Sequence, residues 1–410
     1  MFLNSKIKPY AIWLIPLFFF AYQFILRNSP ALLIDDLMLH FKINASQFAL
    51  FSSMFYVTYS LMQIPTGLLL DRFNPGIVLS SLILTYTFGA YLFSITDNFH
   101  LAVFARMLMG IGATAGFLGG AKVISLYFPK SKYSILISLT FTAGFLGAIY
   151  GGKPVSILMQ EFGWHEIFAI FTTFGIVIAL LSSIFIRKNI EEKNDIKFRD
   201  ILKDIKEVFS NKNIVLVALF GGFMMGSTEG FADAWGVKYL VSNYGFDKHD
   251  ASLAVSMIYL GLALGGPFLV LFAEKFSNYY ITTFFSGIIM VICFGIFLLP
   301  IKLTFIAAFV ICLFIGISSG SQVLIFSIND TLTNKNHAAL TAALTNSIVM
   351  SFGLIIHQTI GFIIDFSFKN GESNNSNFSL EYFKIALSVI PVLMIIGSVG
   401  IIAMKRNKQN

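Results

Sequence analysis

The sequence predicts an all-α membrane protein of about twelve transmembrane helices, set out as two pseudo-symmetric six-helix bundles. Three observations predict it. Of 410 residues, 56% are hydrophobic and only 12% charged, about half the charged share of a soluble protein. Apolar runs of about 20 residues, each able to cross a bilayer as a helix, recur through the whole length. The first half also repeats in the second. A shift of 203 positions lays Ser53-Met54-Phe55-Tyr56 on Ser256-Met257-Ile258-Tyr259, and Asp71-Arg72-Phe73 on Glu274-Lys275-Phe276. Phe41, Ile43 and Asn44 fall on Tyr244, Phe246 and Asp247 by the same shift.

Taken in order, the first run, 10–34, is too long for a cleaved signal peptide and lacks a small-residue cleavage site, so it is read as a retained span. Runs at 46–69, 77–96, 99–127, 134–157 and 166–186 complete the first six. A charged break follows from Arg187 to Lys212; within it Phe198, Ile201, Leu202, Ile205 and Phe209 form one stripe, predicting a helix on the membrane surface. Runs at 213–242, 250–273, 279–299, 303–330, 338–364 and 381–404 complete the second six. The domain organisation expected is therefore a bundle over 1–186, a cytoplasmic linker over 187–212 and a bundle over 213–410. The stretch 365–380 is polar and reads as an outer loop.

The net charge of +7 could point to nucleic acid, but its placement points to topology instead. With the N-terminus inside, 18 of the 28 Lys and Arg residues fall in inner loops and tails and five in outer ones. That asymmetry is the positive-inside rule, with both termini cytoplasmic. Only two cysteines occur, Cys293 and Cys312, both in apolar runs, so no disulfide framework or metal-ligand spacing exists. No Walker A, zinc, triad or dinucleotide fingerprint appears. The expectation is no enzyme, no cofactor and no metal. Duplicated membrane bundles are the architecture of secondary transporters.

With the shift now 200, Gly116, Gly120, Lys122 and Val123 fall on Gly316, Gly320, Gln322 and Val323. Small residues there, and Gly144, Gly147, Gly151 and Gly152, let helices approach closely. The loop after the second span reads Gly67-Leu-Leu-Leu-Asp71-Arg72-Phe73, the fourth span carries Arg106-x-x-x-Gly110-x-Gly112, and the fifth ends Gly151-Gly152-Lys153-Pro154. On these motifs the chain resembles the major facilitator superfamily over nearly its whole length. It departs at Asn74-Pro75-Gly76, where the family signature continues with Gly and basic residues, and at Val270, where the second copy would carry Gly. Arg27-Asn28-Ser29-Pro30, Asp35-Asp36-Leu37-Met38 and Gln63-Ile64-Pro65 resemble a branch containing the phagosomal amino-acid importers of intracellular bacteria.

Ionisable residues inside spans are costly and are functional candidates. Arg27 lies deep in the first span, with Gln23 one turn earlier on the same face. A guanidinium there can grip a carboxylate, bidentate where geometry allows; snorkelling is the bland alternative. Glu229 and Asp233 share a face of the seventh span. Two carboxylates in low dielectric need not both ionise, so Glu229 is assigned proton coupling and Asp233 a gate role paired with Arg27. The alternative is that both wet a helix end loosened by Gly226 and Gly230. Lys122 and Gln322 are repeat partners, and the resemblance implies that their helices line the cavity. Tyr56, Tyr59 and Gln63 form a polar stripe on the second span, Tyr259 is the repeat partner of Tyr56, and Asn346 offers an amide. The resemblance implies that Arg106 bonds backbone near the first helix, and that Asp71 and Arg72 serve an inner gate. Lys153 and Lys238 are read as snorkelling, His357 as packing, and Asp330 as interfacial.

The expected function is proton-coupled import of a small polar metabolite, an amino acid first, by alternating access in a bacterial inner membrane. The expected partners are that solute, protons and the lipid bilayer, with no nucleic acid, the chain acting as a monomer. The alternatives are an exchanger of organic or phosphorylated anions and, from another class, a non-transporting sensor or receptor.

Overall fold

The computed structural model describes residues 8–129, 132–187, 198–276, 278–333, 338–369 and 380–407. Among them there is no β-strand. The helices are α1 (Lys8–Arg27), α2 (Ser29–Phe41), α3 (Ala45–Arg72), α4 (Pro75–Ile95), α5 (Phe99–Tyr127), α6 (Tyr133–Tyr150), α7 (Lys153–Phe162) and α8 (Trp164–Phe185) in the first half. After α9 (Phe198–Ser210) come α10 (Lys212–Gly230), α11 (Gly236–Tyr244), α12 (Lys248–Lys275), α13 (Tyr279–Leu298), α14 (Phe305–Ser319), α15 (Gln322–Asp330), α16 (Ala338–Lys369) and α17 (Leu380–Asn407). The protein is an all-α, multi-pass membrane protein.

Among the described residues, ten helical runs are long and apolar enough to cross a membrane, and the bent pair α6–α7 makes eleven. The remaining expected span, 46–69, forms α3, 28 residues long; its polar stripe keeps it less apolar than the others. The repeat is visible in the elements: α3 and α12 are both 28 residues long and start and stop 203 positions apart. Asn44, before α3, exchanges bonds with Gln47, its backbone N–H donating to Gln47 Oε1 and its side chain accepting the Gln47 N–H. Its repeat partner Asp247 accepts the His249 N–H at the start of α12. Both are N-caps, which satisfy N–H groups the first helical turn leaves open. The predicted linker helix is present as α9.

Four spans carry a local irregularity where the sequence read continuous runs, and among the described residues only the α6–α7 pair is bent by more than 40°. Asn28 separates α1 from α2, whose second residue is Pro30. Gly151 and Gly152 separate α6 from α7, with a 44° bend. A π-helical turn, Phe231–Trp235, joins α10 to α11. Gly320 and Ser321 separate α14 from α15. The first and third breaks are repeat partners, because the 203-residue shift lays Asn28 on Phe231.

The chain forms two compact units whose bounds do not follow the sequence halves. One comprises residues 1–28 and 57–195, the other 29–56 and 196–410. In the first, α1 packs on α6 through glycines: a Cβ at Gly147 would overlap the Ala21 carbonyl, and one at Gly144 would lie 2.7 Å from the Phe20 ring. Trp13 Nε1 donates to Thr140 Oγ1 across the same pair at 3.1 Å, and Ser80 of α4 donates to the Ala179 carbonyl of α8 at 2.9 Å. In the second unit, Gly261 and Gly265 of α12 interlock with Gly316 of α14 and Gly320 just after it so closely that a Cβ on any of the four would overlap the facing backbone. With no hydrophobic drive between helices in lipid, such close backbone approach supplies the packing energy. The glycines therefore do the packing work the sequence assigned them.

Candidate functional site

The first unit holds a buried basic cluster at the end of α1. Pro30 has no N–H, so the Leu26 carbonyl loses its usual helical donor. Arg106 of α5 supplies one: Nη1 donates to the Leu26 carbonyl at 3.3 Å and Nη2 to the Arg27 carbonyl at 3.2 Å. Arg106 is 2% exposed. Tyr86 of α4 donates to the Gln23 carbonyl one turn earlier, at 2.9 Å. Arg27 is buried, its guanidinium carbon 5.0 Å from the centre of the Phe24 ring. The Gln23 side chain lies where a Cβ on Gly116 would be, and its Oε1 has no hydrogen-bond partner among the described residues. The structure thus brings Gln23, Arg27 and Arg106 together, and Arg106 bonds backbone as the resemblance implied.

The second unit holds an acidic centre at the π turn. The Gly236 N–H reaches back five residues to the Phe231 carbonyl, and the missing Cβ of Gly236 leaves room for the Phe231 ring and carbonyl. Such turns insert one residue into a helix and occur often at functional sites. Here the turn carries Asp233, which is 3% exposed and accepts a hydrogen bond from the Tyr259 hydroxyl of α12. Glu229 is half-buried one turn earlier on α10. Around the turn, Phe48 meets Trp235 edge-on, and Phe231 meets Phe294 in the same way.

The remaining candidates are distributed more widely. Tyr59 and Gln63 are buried on the part of α3 that belongs to the first unit. There Thr58 donates to the Met107 carbonyl at 2.9 Å, and Thr66 pairs with Thr114 at 2.8 Å. Tyr56, in the second unit, packs on His357, with ring centres 5.6 Å apart. Lys122 is half-buried on α5. Gln322 opens α15 and Asn346 lies on α16, both half-buried and neither forming a side-chain hydrogen bond among the described residues. Arg72 is exposed at the end of α3; the neighbouring Asp71 side chain lies outside the described residues.

Two placements differ from the sequence reading. Lys238 does not snorkel: it is 8% exposed and its Nζ lies 2.6 Å from Asp35 Oδ1. Asp365, read as loop because the apolar run ends at 364, lies inside α16 and is buried. A carboxylate one residue past a hydropathy boundary was the available signal. The breaks at Asn28 and at the π turn were missed as well, although Pro30 marks the first.

Residues 13–356 match the model of the Major Facilitator Superfamily. The chain is 25% identical over 390 residues to the uncharacterized transporter YybO of Bacillus subtilis (strain 168), covering 88% of this chain and 87% of that one. It is 24% identical over 262 residues to the probable galactarate/D-glucarate transporter GarP of Escherichia coli (strain K12), covering 55% of this chain and 59% of that one. Among solved structures, a bacterial homolog to the human lysosomal transporter Spinster, inward-facing and unoccupied, matches with a TM-score of 0.78 at 15% identity over 98% of both chains, a likeness of fold. With a family model spanning most of its length and its relatives all transporters, the chain belongs to the Major Facilitator Superfamily and is a membrane transporter rather than an enzyme.

Proposed function

We propose that the protein imports a small carboxylate-bearing metabolite, coupled to protons, by alternating access in a bacterial inner membrane, as a monomer with both termini cytoplasmic. The observation that carries this reading is the buried Asp233 carboxylate, set in a π turn and engaged by Tyr259. A buried carboxylate inside a membrane span costs stability and persists where transport uses it. With Asp233 engaged by the phenol, Glu229 one turn away is the residue that loads and unloads the proton. Arg27, at the repeat-related break, supplies the cation for a substrate carboxylate.

An amino acid comes first, because the sequence resembles amino-acid importers. The second reading is an organic anion, and the relative named for galactarate and D-glucarate supports it. Uptake of labelled amino acids and of sugar diacids into proteoliposomes separates the two. Under an imposed pH gradient, Glu229→Gln is expected to abolish driven uptake and keep counterflow. Driven uptake that survives this change removes the coupling role, and binding without flux for every solute leaves a sensor.

A further inference from the structure

The end of α16 bears a carboxylate that serves a different helix. Asp365 Oδ1 accepts the Ala45 N–H at 2.8 Å and Oδ2 accepts the Ser46 N–H at 2.9 Å. These are the first two N–H groups of α3, which no residue of their own helix can satisfy. Asn44 and Gln47 serve each other, so the opening turn of α3 depends on a carboxylate some 320 residues away in sequence. Asp365 is 9% exposed. No cationic side chain pairs with it among the described residues, so the partial positive charge of the helix end balances it.

The contact continues along both helices. Gly361 lies on the Ala45 carbonyl, 2.7 Å from where its Cβ would be, and Gln358 Nε2 donates to Ser53 Oγ at 3.4 Å. Gly353 lies on the Tyr56 ring. Beyond Tyr56 the same helix passes into the other compact unit. One unbroken 28-residue helix is therefore held at its start by α16 and along its remainder by the first unit. A cleft of about 410 Å³, lined by Asn44, Ser46, Gln47 and Gln358 together with Leu50, Phe362 and Phe366, opens beside the Asp365 bonds.

We propose that Asp365 is a positioning residue of the transport cycle, whose carboxylate latches the start of α3 onto α16 and must let go before the face that the charge distribution assigns to the outside can open. The proposal rests on the alternating-access reading, since the start of α3 cannot move away from α16 while these two bonds hold.

The test reads accessibility and needs no substrate. Full-length protein with Cys293→Ser and Cys312→Ser carries Ser52→Cys, a buried position on the latched part of α3, and is labelled from outside with an impermeant maleimide. Asp365→Asn is expected to speed labelling about tenfold, and Asp365→Glu to stay near the parent rate, as a charge-assisted bond requires. Ser46→Pro removes the donor from the other side and is expected to act like Asp365→Asn. Pro is tolerated in a first helical turn and already stands second in α2 and α7. A second reporter, Ser94→Cys, buried near the end of α4 in the first unit, on the side assigned to the outside, is expected to stay unreactive throughout. Parent-like labelling of Ser52→Cys in both Asp365→Asn and Ser46→Pro overturns the proposal. So does labelling that rises equally at both reporters, which is loss of fold. Faster labelling at Ser52→Cys alone, in protein that moves no solute, upholds the latch and removes the transport reading instead.

Discussion

Arg106 donates from Nη1 to the carbonyl of Leu26, the carbonyl that Pro30 leaves without its helical donor. A second donor of the same guanidinium meets the Arg27 carbonyl. The charge is fully buried, a costly arrangement unless its N–H groups find acceptors. The break supplies those acceptors, and Arg106 supplies the donors the break removed. Within the bilayer no water is present to substitute. Arg27 thus stands at a helix end whose backbone is pinned, and the pinning residue is on α5.

Arg106→Met is expected to cost about 2–4 kcal/mol, because it strands two buried carbonyls. Pro30→Ala returns an N–H to Leu26, so the double variant is expected to recover about 1 kcal/mol relative to the sum of the singles. Thermal melting of the purified protein in detergent, run as a double-mutant cycle, measures this. Strict additivity counts against the exchange of donors described.

Tyr259→Phe removes the hydroxyl that engages Asp233. A buried hydrogen bond is worth about 1 kcal/mol, so the melting temperature is expected to fall by only a few degrees, while initial uptake is expected to fall about tenfold or more if Asp233 serves transport. Uptake in proteoliposomes equal to the parent would show that the pair is structural only.

The glycine seam makes a sharp contrast. Gly265→Ala and Gly316→Ala place a Cβ on the opposite backbone, an overpacking expected to cost about 1–3 kcal/mol or more. Gly295→Ala, in α13, meets nothing within 4 Å and is expected to be neutral or to stabilise by up to about 1 kcal/mol through helix propensity. Folded yield and melting temperature across the three variants report the difference. Equal behaviour would mean that the seam opens readily.

The two ion pairs between α2 and the helices that follow the π turn are unequal. Lys238 is buried while Asp35 is 57% exposed. Asp35→Asn leaves a buried ammonium without this carboxylate and is expected to cost about 2–4 kcal/mol. Lys238→Met leaves only a hydrated carboxylate, with an expected cost below about 1 kcal/mol. Lys248 and Asp36, 3.3 Å apart and each about half exposed, are worth about 0–1 kcal/mol, and Asp36→Asn should be nearly silent. Urea or thermal unfolding of the three variants ranks them.

Much of the architecture was legible because the bilayer imposes it. Apolar length marks the spans, the 203-residue repeat pairs α3 with α12 down to their caps, and Gly261, Gly265, Gly316 and Gly320 announce close approach. The basic cluster of the first unit was legible too, since Arg27 and Arg106 are conspicuous where charge is expensive. Asp365 was not, because a hydropathy window ends where the apolar run ends, whereas the helix continues as long as its backbone bonds do. Lys238 was misread because a sequence offers a lysine near a helix end only water or lipid headgroups, and Asp35 lies 203 positions away.

By itself the sequence determined the all-α membrane class, the duplication and the identity of the charged residues inside the spans. These follow from local rules: what lipid tolerates, and what recurs at a fixed shift. Tertiary structure alone decided where the helices break, which carbonyls Arg106 meets, that Tyr259 engages Asp233, and that residues 29–56 join the second compact unit. The physical reason is that each of these is a bond or contact between positions far apart in the chain, chosen by which partner satisfies a buried polar group at least cost, and no local pattern encodes that choice.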